Sequence, residues 1–133
     1  EPSIDMSHLR VLLAEDHQIN RLLVTKILNR VNITPILACD GIDVLECLKK
    51  QSYDVILMDL QMPNMDGITA TRQIRADKNL EQPYIIALTA NAFAEDRVNC
   101  HKAGMNDFIS KPISIEDLVN ALKKASLSQK TGK

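Results

Sequence analysis

The chain has 133 residues, 45% of them hydrophobic and 25% charged, with a formal charge of −1. That size and apolar content suit one domain with a core of its own. Sixteen Lys and Arg against 17 Asp and Glu, with aromatics at only 3%, provide neither a phosphate-tracking basic surface nor a stacking platform, which argues against direct nucleic-acid binding.

Cys39, Cys47 and Cys100 are odd in number and lack zinc or redox spacing. They are expected to be small buried hydrophobes in a reduced, cytoplasmic chain. No apolar run approaches the ~20 residues of a membrane span, and no signal peptide opens the chain. Any membrane tether is expected in another segment of a longer parent chain.

Residues 1–8 are mostly polar, contain Pro2, and read as a linker or remnant outside the fold. The apolar run Leu9 to Ala14 predicts a first strand that ends on Glu15-Asp16. From His17 to about Val31, Ile19, Leu22, Leu23 and Ile27 recur at helical spacing and predict an amphipathic helix covering a sheet. Ile33 to Cys39 predicts a short second strand, with Pro35 near its start or edge.

Asp40-Gly41 turns into a second helix whose buried face is Val44, Leu45 and Leu48, with Lys49-Lys50 at the end where positive charge suits the helix dipole. Val55 to Met58 reads as a buried parallel strand ending on Asp59, followed at once by the turn residues Pro63, Asn64, Asp66 and Gly67. A third helix to about Ala76 turns Ala70, Thr71 and Ile74 inward and Arg72 and Arg75 outward. Pro83 restarts extended chain, and Tyr84 to Leu88 forms a fourth strand ending at Thr89-Ala90.

Asn91 is placed to cap a fourth, weakly amphipathic helix that stops at Gly104. Asp107 to Ser110 makes a fifth strand leading to Lys111-Pro112. A last helix follows with Ile115, Leu118, Val119 and Leu122 inward and Ser114 as its cap, facing Asp117 in a capping-box position. The domain is read as 9–126, and residues 127–133 as a frayed polar tail.

Five strand and helix alternations imply a single α/β domain, a parallel sheet with helices on both faces. Right-handed crossovers and one reversal of winding bring the first and third strands together, so Glu15, Asp16 and Asp59 converge at strand ends, where open α/β sheets bind ligands. Clustered carboxylates call for protonation or a cation, and magnesium, held by one or two carboxylates plus water and phosphate oxygens, fits this set better than zinc. Beside such an ion Asp59 is a candidate nucleophile toward phosphorus. Lys111 and the Thr89 hydroxyl are candidates to stabilise the transferring group.

Glu15-Asp16, Asp59 with Met62-Pro63 and Asp66-Gly67, Thr89-Ala90, and Lys111-Pro112, in that order at strand ends, make the chain resemble a response-regulator receiver domain from about Leu9 to Ala125. Asn20-Arg21, Leu88 to Ala92, and the run from Ala103 to Ile113 are similar to receivers attached to hybrid histidine kinases. The resemblance implies a flavodoxin-like, doubly wound, five-stranded parallel sheet with five helices. It also implies a phosphorelay function in which Asp59 accepts a phosphoryl group from the histidine of a kinase or phosphotransfer domain.

Magnesium, or manganese in its place, would be held by Asp16, Asp59 and the backbone carbonyl of Gln61, with Glu15 acting through water. A cis peptide is implied at Lys111-Pro112. Thr89 and Phe108 match the family's switch pair, and the readout would be the surface of the fourth helix, fifth strand and fifth helix. Many members carry Tyr where this chain has Phe108, and Asn where it has His17.

Such a domain promotes its own phosphorylation and dephosphorylation without being a stand-alone enzyme, and works as a monomer or weak dimer. Three alternatives compete with this reading. A phosphatase of the haloacid-dehalogenase type would use Asp59 as nucleophile, but Gln61 stands where that pattern has a second acid. A flavin or nucleotide module would need a Gly-rich loop after the first strand, which is missing among only four glycines. A degenerate, non-phosphorylated interaction domain would not need the full set of acids, hydroxyl and lysine.

Overall fold

The computed structural model describes residues 5–90 and 94–131. Along the chain β1 (Val11–Ala14), α1 (Gln18–Arg30), β2 (Ile36–Ala38), α2 (Gly41–Lys50) and β3 (Val55–Asp59) are followed by α3 (Gly67–Ala76), β4 (Tyr84–Thr89), α4 (Ala94–Ala103), β5 (Asp107–Ser110) and α5 (Ile115–Thr131). The strands lie in the order β2-β1-β3-β4-β5, and every pairing is parallel. Winding therefore reverses between β1 and β3, where Ala14 pairs with Met58 and the residues after each are brought side by side.

The three central strands β1, β3 and β4 read as largely continuous apolar runs because helices cover both sheet faces. Val11, Leu13, Val55, Leu57, Ile86 and Leu88 pack on the side of α1 and α5, against Val24, Ile27, Leu28, Leu118 and Leu122. Leu12, Ala14, Ile56, Met58, Ile85 and Ala87 pack on the other side, against Val44, Leu48, Ala70, Ile74 and Cys100. Each fully buried Leu or Ile contributes roughly 1.5–3 kcal/mol relative to exposure. Strand ends are thereby fixed to a rigid slab.

Several local readings are corrected. In α1 the buried stripe is Val24, Ile27 and Leu28, while Ile19, Leu22 and Leu23 are 72%, 57% and 43% exposed. The helix is apolar on two sides, and only one can meet the sheet. Ile115 is exposed because it is the first residue of α5, ahead of the turns that reach the core through Leu118 and Leu122, and Val119 is only partly buried. Of the three cysteines only Cys100 is buried, Cys47 being half-buried and Cys39 exposed.

Met6, in the segment read as linker, is buried, and its N–H donates to the Val31 carbonyl at 2.8 Å. α5 runs on past Ser126, whose Oγ lies 2.9 Å from Nε2 of His8. Arg75, expected to point outward, is half-buried because the approaches to β4 and β5 present acceptors within its reach. It donates to the carbonyls of Gly104 and Pro83 and to the side-chain oxygens of Gln82 and Asn106, each at 2.8 Å.

Asp66 caps α3 through the Thr69 N–H at 2.8 Å, and Ser114 accepts from the Asp117 N–H at 3.1 Å as expected. The proposed Asn91 cap lies outside the described residues. The Lys111–Pro112 peptide is cis. No helix among the described residues is long and apolar enough to cross a membrane.

Candidate functional site

Four strands deliver polar groups to one edge of the sheet. Glu15 and Asp16 follow β1, Asp59 ends β3, Thr89 ends β4, and Lys111 follows β5. They line a cleft of about 520 Å³ together with His17, Asn20, Gln61 and Asp96. Glu15, Asp59 and Thr89 are buried and Asp16 is exposed. Every predicted site residue except Phe108 therefore meets in one place.

One carboxylate oxygen from each of Glu15, Asp16 and Asp59 lies within 4.8 Å of the others. Lys111 Nζ stands between two of the acids, 3.2 Å from Oδ1 of Asp59 and 3.4 Å from Oε1 of Glu15. The backbone N–H of Gln61 donates to Oδ1 of Asp59 at 3.3 Å, and that of His17 to Oε2 of Glu15 at 3.2 Å. Lys111 is itself held by its N–H, which donates to the Thr89 carbonyl at 2.7 Å.

Burial raises the Glu15 carboxyl above its ordinary value, and the neighbouring Asp59 pushes it further in the same direction. Its Oε1 is buried and accepts no hydrogen bond, since Lys111 approaches as an ion pair without the alignment of a donor. An orphaned carboxylate oxygen in an all-oxygen cluster suits a hard divalent cation. The absence of any His or Cys in the cluster disfavours zinc. The residues present thus fit magnesium.

Sequence reasoning missed Arg21 as a support of this site. From the first turn of α1 its Nε and Nη2 donate to the Glu15 carbonyl at 3.1 and 2.8 Å, which fixes the backbone between the two acids. Asn20-Arg21 entered as a point of resemblance, which carried no signal for that contact. Phe108 lies outside the cleft, half-buried, with the Arg97 guanidinium 4.5 Å from its ring centroid. It pairs with Ala87 in the sheet, two positions before the Thr89–Ser110 pair.

The cleft's contents and order along the chain match a known family. The sequence model of the response regulator receiver domain matches residues 11–123. "Hybrid signal transduction histidine kinase K" of Dictyostelium discoideum is 39% identical over 124 residues, covering 88% of this chain and 10% of the kinase. The chain spans a tenth or less of the length of this and two other curated histidine kinases it matches.

Among solved structures, the receiver domain of sensor histidine kinase PA1611 from Pseudomonas aeruginosa, with magnesium coordinated in its active site cleft, superposes with a TM-score of 0.83. It is 41% identical, over 90% of this chain and 98% of that one. The receiver domain of the response regulator Ssk1, solved with the histidine phosphotransfer protein Ypd1 of Saccharomyces cerevisiae, superposes with a TM-score of 0.84. That match is 27% identical, over 97% of this chain and 94% of that one.

Proposed function

Because the chain belongs to the response regulator receiver domain family, we propose that it accepts a phosphoryl group from a phosphohistidine onto Asp59 and passes or reports that state to a partner. The observation that carries this reading is the Lys111 ammonium set between Asp59 and the orphaned oxygen of Glu15 at the sheet edge. In this reaction an Asp59 oxygen forms the new P–O bond as the donor's P–N bond breaks. The imidazole keeps the electron pair and leaves as the neutral ring, its other nitrogen already carrying the proton it held in the phosphohistidine.

Phosphoryl transfer depends mainly on positioning and charge neutralisation. Asp16, Asp59 and the Gln61 carbonyl would hold magnesium, or manganese, with Glu15 acting through water. The ion supplies the positive charge that lets carboxylates and a phosphoryl group share one cleft. Lys111 then pairs with a phosphoryl oxygen in place of part of its contact with the acids. Thr89 donates its hydroxyl to the same group.

Movement of Thr89 toward the phosphoryl group would open space beside β4 and β5, and Phe108, two positions back, is the residue able to respond. The readout would then be the surface built by α4, β5 and α5. The partner proposed is a histidine phosphotransfer domain or kinase, which the structure of the Ssk1 receiver with Ypd1 supports. Ile19, Leu22 and Leu23 give it an exposed apolar helix face beside His17 and Asn20 of the cleft.

Incubation with magnesium and acetyl phosphate should add one hydroxylamine-labile phosphoryl group to the intact mass. The reading fails if no such adduct forms or if Asp59→Asn is labelled equally. Leu22→Lys should slow transfer from a phosphorylated phosphotransfer domain while leaving labelling by acetyl phosphate unchanged.

A further inference from the structure

We propose that Asp40 is a positioning residue for the loop that follows Asp59, holding it through Asn64 so that the Gln61 backbone faces the metal site. The proposal rests on the reading of that site given above. Asp40 is buried, yet it lies outside the cleft, at the start of α2. Its Oδ1 accepts the Asp43 N–H at 2.8 Å and caps the helix. One oxygen suffices for a cap, and a serine would serve there equally well.

The second oxygen does something a cap does not require. Oδ2 accepts from Nδ2 of Asn64 at 2.7 Å, across 24 positions of sequence. Asn64 is held at φ 67, in the left-handed region that L-residues other than Asn and Asp avoid. Next to it the Gly41 N–H donates to the Met65 carbonyl at 2.9 Å. A Cβ on Gly41 would stand 2.7 Å from that oxygen and from Met65 Cγ, so the glycine lets the loop lie flush against α2.

The base of the loop is tied separately. The Gly67 N–H donates to the Leu60 carbonyl at 3.1 Å, and a Cβ there would be driven into the backbone of Asp59. The segment from Gln61 to Asp66 is thus fastened at its base by Gly67 and at its tip by Asp40 and Gly41. Gln61 is its first residue, with its N–H on Asp59. A side-chain ligand can be re-aimed by a rotamer change, whereas a backbone carbonyl is aimed only by its own loop. What fixes Asn64 therefore fixes the Gln61 ligand.

The two roles of Asp40 separate by mutation. Asp40→Ser keeps a cap and loses the reach to Asn64. Asn64→Gly tolerates the positive φ and loses the donor. The exchange Asp40→Asn with Asn64→Asp restores one amide facing one carboxylate. The measurement is a magnesium titration of the full chain followed by amide NMR shifts, with hydrogen exchange of the Gln61 amide in the metal-free protein.

Both single variants should weaken magnesium binding by about 10-fold, the scale seen when groups supporting metal ligands are removed. They should also speed Gln61 amide exchange, and the exchanged pair should recover most of both losses. A purely capping role would lower the melting temperature and leave affinity and Gln61 exchange alone, which would overturn the inference. So would weakened binding that the exchanged pair does not restore. Absence of magnesium-dependent shifts in the parent chain would instead overturn the reading of the site itself.

Discussion

Two charged clusters occupy opposite ends of the same sheet, and they are built on opposite terms. At the ends of β4 and β5 where those strands begin, Arg75 meets four acceptors with short hydrogen bonds, and Asn106, one of them, also accepts the Ile85 N–H at 2.8 Å. At the ends where the strands finish, three acids crowd together, one lysine serves two of them, and a buried oxygen of Glu15 has no donor. The first cluster is satisfied and joins α3 to the approaches of two strands. The second is left with negative charge to neutralise, as the proposed magnesium and phosphoryl chemistry requires.

The largest expected effect falls on the unsatisfied end. Asp59→Asn should eliminate the hydroxylamine-labile mass adduct while raising the melting temperature of the metal-free protein, since it removes a carboxylate that Glu15 and Asp16 face. A lower melting temperature in this variant would mean the acids are not in conflict. At the satisfied end, Arg75→Ala should cost about 3 kcal/mol in urea denaturation, because several acceptors lose a charged donor. Its magnesium affinity should not change, and a change would break the separation between the two ends.

Magnesium at 100 times its Kd should stabilise the parent by ~2.7 kcal/mol, and the Arg75→Ala variant by the same amount. The pH dependence sharpens this. The folded Glu15 carboxyl is raised above its usual 4.5, so the folded state holds that proton more tightly than the unfolded chain. The associated stability is complete below 4.5 and is lost as pH rises through the raised value. Without metal, Glu15→Gln should therefore gain on the parent in thermal melts as pH increases above that point, and added magnesium should shrink the gain.

The smallest effect concerns Thr71, whose buried Oγ1 also finds no hydrogen-bond partner. Unlike Glu15 it is one of the buried residues of α3, one helical turn before Arg75 and outside the acidic cleft. Thr71→Val should be neutral or stabilising by up to about 1 kcal/mol, with magnesium affinity and labelling unchanged. The two orphaned atoms then differ as the two clusters do.

The strands and the acids at their ends were legible because fully buried parallel strands are continuous apolar runs, and each run stops where its chemistry begins. The orientation of α1 was not legible. Ile19, Leu22 and Leu23 make as good a stripe as Val24, Ile27 and Leu28, and only packing against Leu13 and its neighbours chooses between them. The rejected stripe is the one left beside the cleft.

Arg75 and Asp40 were unreadable for a different reason. Their partners at 104, 106 and 64 lie far along the chain, and no periodicity links them. The end of α5 was read too early because a mostly polar sequence after Ser126 resembles a tail, although nothing in it before Gly132 breaks a helix.

The 2.9 Å contact between His8 and Ser126 joins the first and last parts of the described chain. Ser128, two residues further along α5, shares a hollow with Arg75 and with Tyr84, the first residue of β4. Entry and exit therefore lie side by side on the floor of the sheet, with the acidic cleft on its roof. The described chain thus begins and ends on that floor, and neither of its described ends crosses the mouth of the cleft in which Asp59 lies.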